Sequence, residues 1–417
     1  MNERIVRHVP LPECPIRVPS LSLHVLAKNA ESVLGRLVEN VGPYIQKARF
    51  VLNDTTDASE KVLAERLGAF KVPYDVQHVT NASHPDFYFF DSLSAYEVGR
   101  PLAGEVFEGP FMRAPLLCDW SSVRNVGWES DCAWRLHLDA DDLVSEPSKI
   151  PGLLEVLTNV GADLAATRYV FGRSDAGAPN SVAYRERLAR NSPAIRWTGK
   201  THEILTGGLR HVLVEDCLTV TDMKDNWGRG VRVPGRCFKV LYREARLADW
   251  NVSPRHLAYL VQEAPGMMTA DWVSGALLPA YLAVSVHPAE RAWVLSMVGE
   301  LWEAKLVYLE ASRYYEKALA AYPSPKAAFR LSRAAFMQEK WRECVEAYDR
   351  GVALLATPQV LDDGPVYEHS GKIFAAQACY TLGEIARARD LIEGAACAFP
   401  ESSLVAALRQ KICGTAL

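Results

Sequence analysis

The chain has 417 residues, of which 49% are hydrophobic, and this is enough apolar material for two or three domains with cores of their own. A mainly disordered chain is therefore excluded. The 46 lysine and arginine residues nearly balance the 50 aspartate and glutamate residues, so the net charge of −4 gives no overall field that would commit the protein to nucleic acid or to an anionic membrane. A local basic surface stays open.

The nine cysteines indicate a reducing compartment. They are odd in number, scattered, and never arranged as Cys-x-x-Cys, which argues against a disulfide framework and a structural zinc site. The first residues lack the apolar core of a secretory signal. The most apolar stretch, 272–286, has about 15 residues, fewer than the roughly 20 that span a bilayer. We therefore expect a cytoplasmic protein without a membrane span, in which this stretch is a buried helix; contact with a membrane interface is the alternative.

The first 80 residues alternate strand-like and helix-like patterns. The predicted elements are a strand at 21–25, a helix at 30–44, a strand at 48–52, a helix that starts with a capping box at Asp57 and Glu60 and stops at Gly68, and a strand at 70–79. This order predicts βαβ units and a parallel sheet, in which ligands bind outside the carboxyl ends of the strands.

Residues 80–117 interrupt this alternation with prolines, glycines and many aromatic residues. A segment of this length inside a compact domain is typical of an ordered functional flap, and an ordinary structural insertion is the alternative. After it, the alternation of residues 134–138 predicts a strand that runs directly into Asp139-Ala140-Asp141-Asp142.

The acidic residues after this strand form a candidate cation site. Residues i and i+2 at a strand end project to one face, so Asp139 and Asp141 can present oxygens to one hard cation, or to a ribose and a cation. The alternative is a solvated acidic turn that caps the segment 142–145.

From about residue 290 the sequence repeats at helical spacing. The small, aromatic and proline positions of the first unit fall at the offsets of a tetratricopeptide unit: Gly299, Trp302, Ala311, Tyr315, Ala318 and Pro323. The second and third units repeat these offsets at Ser332, Ala335, Cys344, Tyr348 and Gly351, and at Ala376, Cys379, Ala388, Ile392, Ala395 and Pro400. We expect a Pro/Asp/Gly-rich link at 356–365 and buried thiols at Cys344 and Cys379. Residues 255–288 match a leading unit poorly.

Five ordered motifs resemble those of glycosyltransferase family 2, in particular members with a tetratricopeptide tail. The motifs are Lys28-Asn29-x-Glu31, Asn53-Asp54-Thr55-Thr56-Asp57, Asp119-Trp120-Ser121-Ser122-Val123-Arg124-Asn125, Trp134-x-Leu136-x-Leu138-Asp139-Ala140-Asp141-Asp142 and Trp197-Thr198-Gly199-Lys200-Thr201-His202-Glu203. They cover roughly residues 20–225.

The resemblance implies a fold, a donor and a metal. The fold is α/β of the GT-A type, a Rossmann-like nucleotide-sugar-binding domain, followed here by an all-α repeat domain. The donor is a nucleotide-diphosphate sugar, and transfer inverts the anomeric carbon with Mn²⁺ or Mg²⁺ bound. Carboxylates select such hard ions, and a diphosphate leaving group needs a cation and basic donors.

The resemblance also assigns roles by motif position. Donor-binding residues are Lys28, Asn53, Asp54, Arg124 and Asp139, and metal ligands are Asp139, Asp141 and Asp222. Glu203, next to His202, stands at the motif position of the residue that activates the acceptor as a base or that supports this base. A structural pair at a strand start is the alternative for these two residues.

The sequence departs from the family pattern at three points. The motif at 53–57 lacks the usual glycine, and the insertion at 80–117 is longer than the usual link. Asp222 stands where we expect a histidine that completes the metal coordination. Because an aspartate is itself an oxygen ligand, this change leaves metal binding in place and alters the third ligand.

A basic stretch at 184–236 has three interpretations. With its interleaved tryptophans it can clamp donor phosphates, track a nucleic-acid backbone, or form a solvated loop face. The segment 226–230, Asn-Trp-Gly-Arg-Gly, reads as a turn that can close over a substrate.

We therefore expect an inverting hexosyl- or pentosyltransferase with a GT-A domain at 1–235, a helical connector or degenerate repeat at 236–290, and repeats at 291–417. We expect the acceptor to be a hydroxyl or other nucleophile on a polymer: a peptide or protein, a glycan, or modified DNA; a small acceptor is equally compatible. The repeats can bind a protein partner or a second copy of the chain. The alternative is a scaffold with a catalytically inactive GT-A-like domain.

Overall fold

The computed structural model describes residues 4–6, 18–89, 117–171, 182–207, 210–222, 235–355 and 364–414. Their contacts divide the chain into two compact units. Unit 1 contains the described residues up to Val240, and unit 2 contains those from Leu241 onward. The division falls five residues after the expected domain boundary at 235.

Unit 1 is built on a mixed sheet. Its strands, in chain order, are β1 (Arg4–Val6), β2 (Leu21–Ala27), β3 (Lys47–Asn53), β4 (Tyr74–Val79), β5 (Tyr88–Phe89), β6 (Leu117–Cys118), β7 (Trp134–Asp139), β8 (Asp142–Val144), β9 (Leu164–Phe171), β10 (Val182–Arg190), β11 (Arg196–Thr198), β12 (Ile204–Thr206) and β13 (His211–Asp222). The main sheet has the order β1-β13-β9-β10-β7-β2-β3-β4, with β8 paired to β13. Strand β10 is antiparallel to both neighbours, β8 is antiparallel to β13, and the other pairs are parallel. The predicted parallel pairing of β2, β3 and β4 is confirmed.

The helices of unit 1 connect these strands. They are α1 (Glu31–Val41), α2 (Ser59–Phe70), α3 (Trp120–Val126) and α4 (Ile150–Asn159), and α5 (Arg236–Leu247) contains the division between the units. Apolar residues of α1, α2 and α4 pack with alternate residues of β2, β3 and β7 in one core, which includes Leu23, Phe50 and Leu136.

The opposite face of the same strands is polar. His24 of β2 lies beside Arg49 of β3 on one side and His137 of β7 on the other, and Ser22 lies beside Arg135. Because successive side chains of a strand point to opposite faces, the alternation in β2 and β7 separates an apolar core from a polar layer. Helix α3 and the hairpin β11–β12 pack together on this side.

The predicted limits of α2 are wrong at both ends. Asp57 does not form a capping box with Glu60: it accepts hydrogen bonds from the backbone of Ser59 and Glu31, and Glu60 pairs with His78. The helix passes Gly68 and ends where Lys71 adopts a left-handed conformation with φ of 54°. Strand β4 therefore starts at Tyr74, four residues later than the predicted start at residue 70.

Unit 2 is helical in its described residues. After α5 its helices are α6 (Pro254–Glu263), α7 (Ala270–Trp272), α8 (Leu278–Val284), α9 (Pro288–Ala304), α10 (Tyr308–Ala321), α11 (Pro325–Met337), α12 (Trp341–Leu354), α13 (Gly364–Thr381), α14 (Ile385–Ala398) and α15 (Ser403–Cys413), with a π-helical segment Val273–Leu277 between α7 and α8. The apolar stretch at 272–286 is thus helical as far as Val284; Trp272 and Tyr281 are buried, whereas Val286 is exposed. No helix within the described ranges is long and apolar enough to cross a membrane.

The predicted repeat corresponds to three helix pairs. Helix α9 packs on α10, α11 on α12, and α13 on α14. The small repeat positions on the second helix of each pair are buried, and Cys344 and Cys379 are buried thiols whose pKa values burial raises to about 11. This confirms the packing role that we expected for these two cysteines.

Several predicted segments lie wholly or partly outside the described residues. These are most of the insertion at 80–117, the turn at 226–230, and the link at 356–365.

Candidate functional site

The polar loops of unit 1 meet at the point where the strand order reverses. Within the sheet, β3 and β4 lie on one side of β2 in the strand order. The chain later returns to form β7, which pairs with the other side of β2. The loops after β2, β3 and β7 therefore leave the sheet at the same edge, beside this reversal. In open α/β sheets this crevice is where ligands bind.

The loops after β2 and β3 bring three predicted donor-binding residues together. Lys28 Nζ lies 3.6 Å from a carboxylate oxygen of Asp54, and both side chains are partly exposed. The buried Asn53 accepts a hydrogen bond from the Tyr88 hydroxyl. Asp54 and Asn29 have φ of 47°, so both loops turn through the left-handed region directly after their strands.

Asp139, the last residue of β7, is held by two arginines. Its carboxylate accepts hydrogen bonds from Arg124 at 3.0 Å and from Arg187 at 3.3 Å. Burial alone would raise the pKa of Asp139, but the two guanidinium groups hold it well below the usual range. His137 accepts a hydrogen bond from Arg124 at 2.7 Å, and burial together with this arginine lowers its pKa to about 3, so the ring is neutral.

Asp142 belongs to the same buried network. It accepts hydrogen bonds from the backbone N–H of Asp139 and from the Tyr169 hydroxyl, and it lies 3.0 Å from Arg187. Burial raises its pKa, Arg187 opposes this, and the nearby charge of Asp139 adds to the rise. The expected alternative of a solvated acidic turn does not describe this residue, because its side chain is fully buried.

One group of three carboxylates converges in the described part of unit 1, and it differs from the predicted metal-binding set. Ligand oxygens of Asp141, Asp142 and Asp222 lie within 4.8 Å of one another, and Asp139 is not in this group. The reason is the pairing of β8 with β13, which places Asp142 opposite Asp222. Asp139 instead points to Arg124 and Arg187. Of the three predicted metal ligands, Asp141 and Asp222 lie in this group and Asp139 does not, and Asp142 stands in its place.

Glu203 lies beside this network because one arginine bridges it to Asp139. Arg124 donates from Nε to Glu203 at 2.6 Å and from a terminal nitrogen to Asp139 at 3.0 Å. The Glu203 side chain is only 13% exposed. Its neighbour His202 is half-buried with φ of 50°, and Glu203 directly precedes β12.

The loop that carries Glu203 is firmly attached to α3. The Asn125 side chain donates to the Trp197 carbonyl at 2.9 Å and accepts from the Trp197 N–H at 3.0 Å. The N–H of Trp120 donates to the carbonyl of Lys200, and the Trp128 indole donates to the carbonyl of Ile195. Glu203 is therefore fixed at the sheet edge.

The sequence did not reveal the roles of Arg187, Tyr169 and Asn125. Arg187 lies at an irregularity in the pairing of β10 with β9, where the register shifts between Glu186 and Leu188. Such a bulge breaks the alternation from which the direction of a strand side chain is predicted. The basic stretch at 184–236 thus contributes a buried arginine to the acid network as well as exposed charges.

No protein-family model matches the chain, and no curated protein does. Among solved structures, the chain is similar to the first TPR of Spaghetti (RPAP3) bound to an HSP90 peptide, with 21% identity, a TM-score of 0.26, and coverage of 30% of this chain and 94% of that chain. It is similar to the second TPR domain of human RPAP3 in complex with an HSP70 peptide, at 17% identity, a TM-score of 0.27, and coverage of 31% and 99%.

A third similar structure contains the nearly identical TPR-like repeats of a Podosopora anserina putative kinesin light chain, at 18% identity, a TM-score of 0.29, and coverage of 42% of this chain and 89% of that chain. These similarities concern helical repeats, so the interpretation of unit 1 rests on its own residues. The paired helices α9 to α14, with buried small residues at the repeat offsets, make unit 2 a tetratricopeptide-like domain.

Proposed function

We propose that unit 1 is an inverting, metal-dependent glycosyltransferase that uses a nucleotide-diphosphate sugar. The observation that carries the proposal is the convergence of three carboxylates, Asp141, Asp142 and Asp222, at the edge where the strand order reverses. Lys28 and Asp54 directly follow β2 and β3 at the same edge. This is where an α/β sheet binds a nucleotide, and the acids are of the type that binds a hard cation.

The three carboxylates fit Mg²⁺ or Mn²⁺ by their chemistry and spacing. Oxygen ligands on opposite sides of such an ion are about 4.2 Å apart, and one oxygen of each of the three groups lies within 4.8 Å of the others. Asp141 and Asp222 are the two predicted ligands in this group, and Asp142, which accepts from Tyr169 and from the backbone of Asp139 and lies 3.0 Å from Arg187, would be the third. When bound, the ion would neutralise charge on the diphosphate leaving group.

Asp139 has a different role in this proposal. Two arginines keep its carboxylate ionised and in place. It can therefore accept a hydrogen bond from a hydroxyl of the nucleotide-sugar donor without moving. Arg124 places Glu203 next to it, and the second oxygen of Glu203 can take the proton of the acceptor hydroxyl. Lys28, Asn53 and Asp54 would bind the nucleotide from the neighbouring loops.

The acceptor and the partner of unit 2 are further proposals. A polymeric acceptor, whether peptide, glycan or modified DNA, agrees with a repeat domain on the same chain, since such domains present extended surfaces. For DNA, we expect binding that weakens steeply with salt. If unit 2 binds a protein while unit 1 binds no donor, the scaffold alternative holds instead.

The test is release of nucleoside diphosphate from a panel of uridine, guanosine and thymidine diphosphate sugars, with Mn²⁺ or Mg²⁺ present. We expect activity with at least one donor, and a loss of at least about 100-fold in Asp141→Asn and Asp222→Asn. Asp131→Asn is the matched control, because this exposed aspartate of unit 1 pairs only with Lys47 among the described residues. Donor-induced thermal stabilisation gives a second readout.

The transferase proposal fails if no donor is bound or cleaved by the full chain. It also fails if the Asp141→Asn variant binds donor and metal as tightly as the unchanged protein does and gains the same thermal stabilisation from them.

A further inference from the structure

Two arginines of β10 stack over the ring of Tyr169, and they differ in what else they contact. The guanidinium carbon of Arg187 lies 4.5 Å from the centre of this ring, and that of Arg185 lies 5.1 Å from it. Arg187 is buried and pairs with Asp139 and Asp142. Arg185 is exposed, and its side chain forms neither an ion pair nor a hydrogen bond with any described residue. Its positive charge is therefore not used within the described part of unit 1.

Stacking holds Arg185 beside the group of converging carboxylates. We call this group the acid cluster; it consists of Asp141, Asp142 and Asp222. The guanidinium carbon of Arg185 also lies 4.9 Å from the centre of the Phe171 ring. Phe171 is the register partner of Asp222, and Tyr169 donates a hydrogen bond to Asp142 at 2.7 Å. Because neighbouring strands lie about 4.8 Å apart, Arg185 is one ring away from two of the three carboxylates.

Arg185 also lies on the same face of the sheet as these rings. It pairs in register with Thr167 of β9, two residues before Tyr169, and alternate residues of a strand share a face. Asp222 is level with Phe171 on that face, where β9 and β13 both end. The guanidinium group and the acid cluster therefore border the same region at the carboxyl ends of these strands.

A diphosphate at the acid cluster needs a positive charge besides the metal. A divalent ion would bring two positive charges to the three carboxylates of the cluster. Nearby, Arg187 offsets Asp139, and Arg124 offsets Glu203. The loaded cluster would therefore keep a net negative charge, and this charge would repel a diphosphate, which is itself an anion. An exposed guanidinium group at this place compensates the repulsion, and its planar donors fit phosphate oxygens.

We propose that Arg185 binds a phosphate group of the diphosphate in the nucleotide-sugar donor. The inference rests on the transferase function proposed above, and it adds a donor-binding residue that lies outside the five sequence motifs. Tyr169 and Phe171 hold the guanidinium group at the edge of the site, so little side-chain freedom is lost when the phosphate binds. If Arg185 only covered the two rings, its charge would have no effect on phosphate binding.

The first test measures the binding of uridine, guanosine and thymidine diphosphates to the full chain by calorimetry, with Mn²⁺ present. For a diphosphate that binds, Arg185→Met should weaken binding by about 10- to 100-fold, because a charged hydrogen bond to phosphate is lost. Arg185→Lys keeps the charge without the planar donors, so it should lose less. Arg66→Met is the control and should bind as the unchanged protein does, because this arginine of α2 is half exposed and pairs with Glu39.

Binding of Mn²⁺ alone separates this role from damage to the site. Arg185→Met removes a positive charge beside the acid cluster, so it should bind Mn²⁺ at least as tightly as the unchanged protein does. The electron paramagnetic resonance signal of the free ion measures this binding. A loss of Mn²⁺ binding in Arg185→Met would overturn the proposal, since the arginine would then hold the site together instead of binding phosphate.

Two further results would overturn the inference, and they differ in what they say about the transferase. If none of the three diphosphates binds to the full chain with Mn²⁺, the transferase proposal fails together with this one. If a diphosphate binds, and Arg185→Met binds it as tightly as Arg66→Met does, only the role of Arg185 is wrong.

Discussion

Two buried arginines organise the candidate site at the level of single residues. Arg124 contacts Glu203, His137 and Asp139, and Arg187 contacts Asp139 and Asp142 and stacks over the Tyr169 ring at 4.5 Å. Each guanidinium holds two carboxylates through a planar array of donors that lysine does not have. The two arginines therefore offset part of the repulsion among these closely spaced, buried acids.

Replacing Arg187 with methionine should destabilise unit 1 strongly. The change leaves Asp139 and Asp142 without their shared cation, and loss of one partner from a buried ion pair costs about 3–5 kcal/mol. Hydrogen exchange of β7 and β10 in the full chain measures the effect. Arg66→Met, an exposed change, should cost less than about 1 kcal/mol. A loss below 1 kcal/mol in Arg187→Met would contradict this role.

Replacing Glu203 with glutamine tests its proposed role as the base. Glutamine keeps the size and accepts from Arg124, but it cannot take a proton, so we expect kcat to fall by about 10²–10⁴-fold with little change in donor KM. Glu129→Gln, at an exposed position in the same unit, is the control. Comparable turnover in both variants would assign the base to another group.

At the level of elements, the helix pairs of unit 2 depend on glycines at close contacts. A Cβ on Gly299 of α9 would lie 2.5 Å from the Tyr315 ring of α10, and one on Gly351 of α12 would lie 2.5 Å from the Phe329 ring of α11. Both distances are far below van der Waals contact. The glycines are therefore needed for helix approach, and not for a turn.

Gly299→Ala should destabilise unit 2 by about 1–3 kcal/mol, because the added Cβ would force the fully buried Tyr315 ring to shift. Gly275→Ala is the matched control: this helical glycine has open space around its added Cβ, so alanine should be neutral or stabilise by up to about 1 kcal/mol. Thermal unfolding of unit 2 in the full chain measures both. Equal melting of the two variants would show that the helices can separate without cost.

The elements also show how far the sequence could predict the structure. The alternation of β7 predicted both the strand and the position of Asp139 at its end, because that pattern is local. The helix stop at Gly68 was wrong because Lys71 adopts the left-handed conformation instead. The pairing of Asp142 with Asp222 depends on two strands far apart in the chain, so no local pattern contains it.

At the level of the whole molecule, the chain combines a sheet unit with a helical repeat unit, each with its own core. The proposed donor contacts residues of unit 1 only. Ligand binding stabilises the unit that holds the site, so the two units should respond differently to a donor.

A nucleotide sugar that the protein binds or cleaves should slow amide exchange in the loops after β2, β3 and β7. Added with Mn²⁺ at ten times its dissociation constant, it should slow this exchange by up to about tenfold. Exchange in α9 to α15 should stay unchanged. Hydrogen-exchange mass spectrometry of the full chain gives both results at once. Protection confined to the repeats would instead favour the scaffold alternative.

The two-faced sheet also restricts how unit 1 can change length. Its side chains alternate between an apolar core and a polar layer, so deleting one residue within β7 would exchange the two sets. Arg135 and His137 would then enter the apolar core, and Asp139 would turn away from Arg124. Insertions and deletions should therefore be tolerated in the connecting loops and not within β7. An odd change in the number of its residues would turn the Asp139 side chain to the opposite face of the sheet.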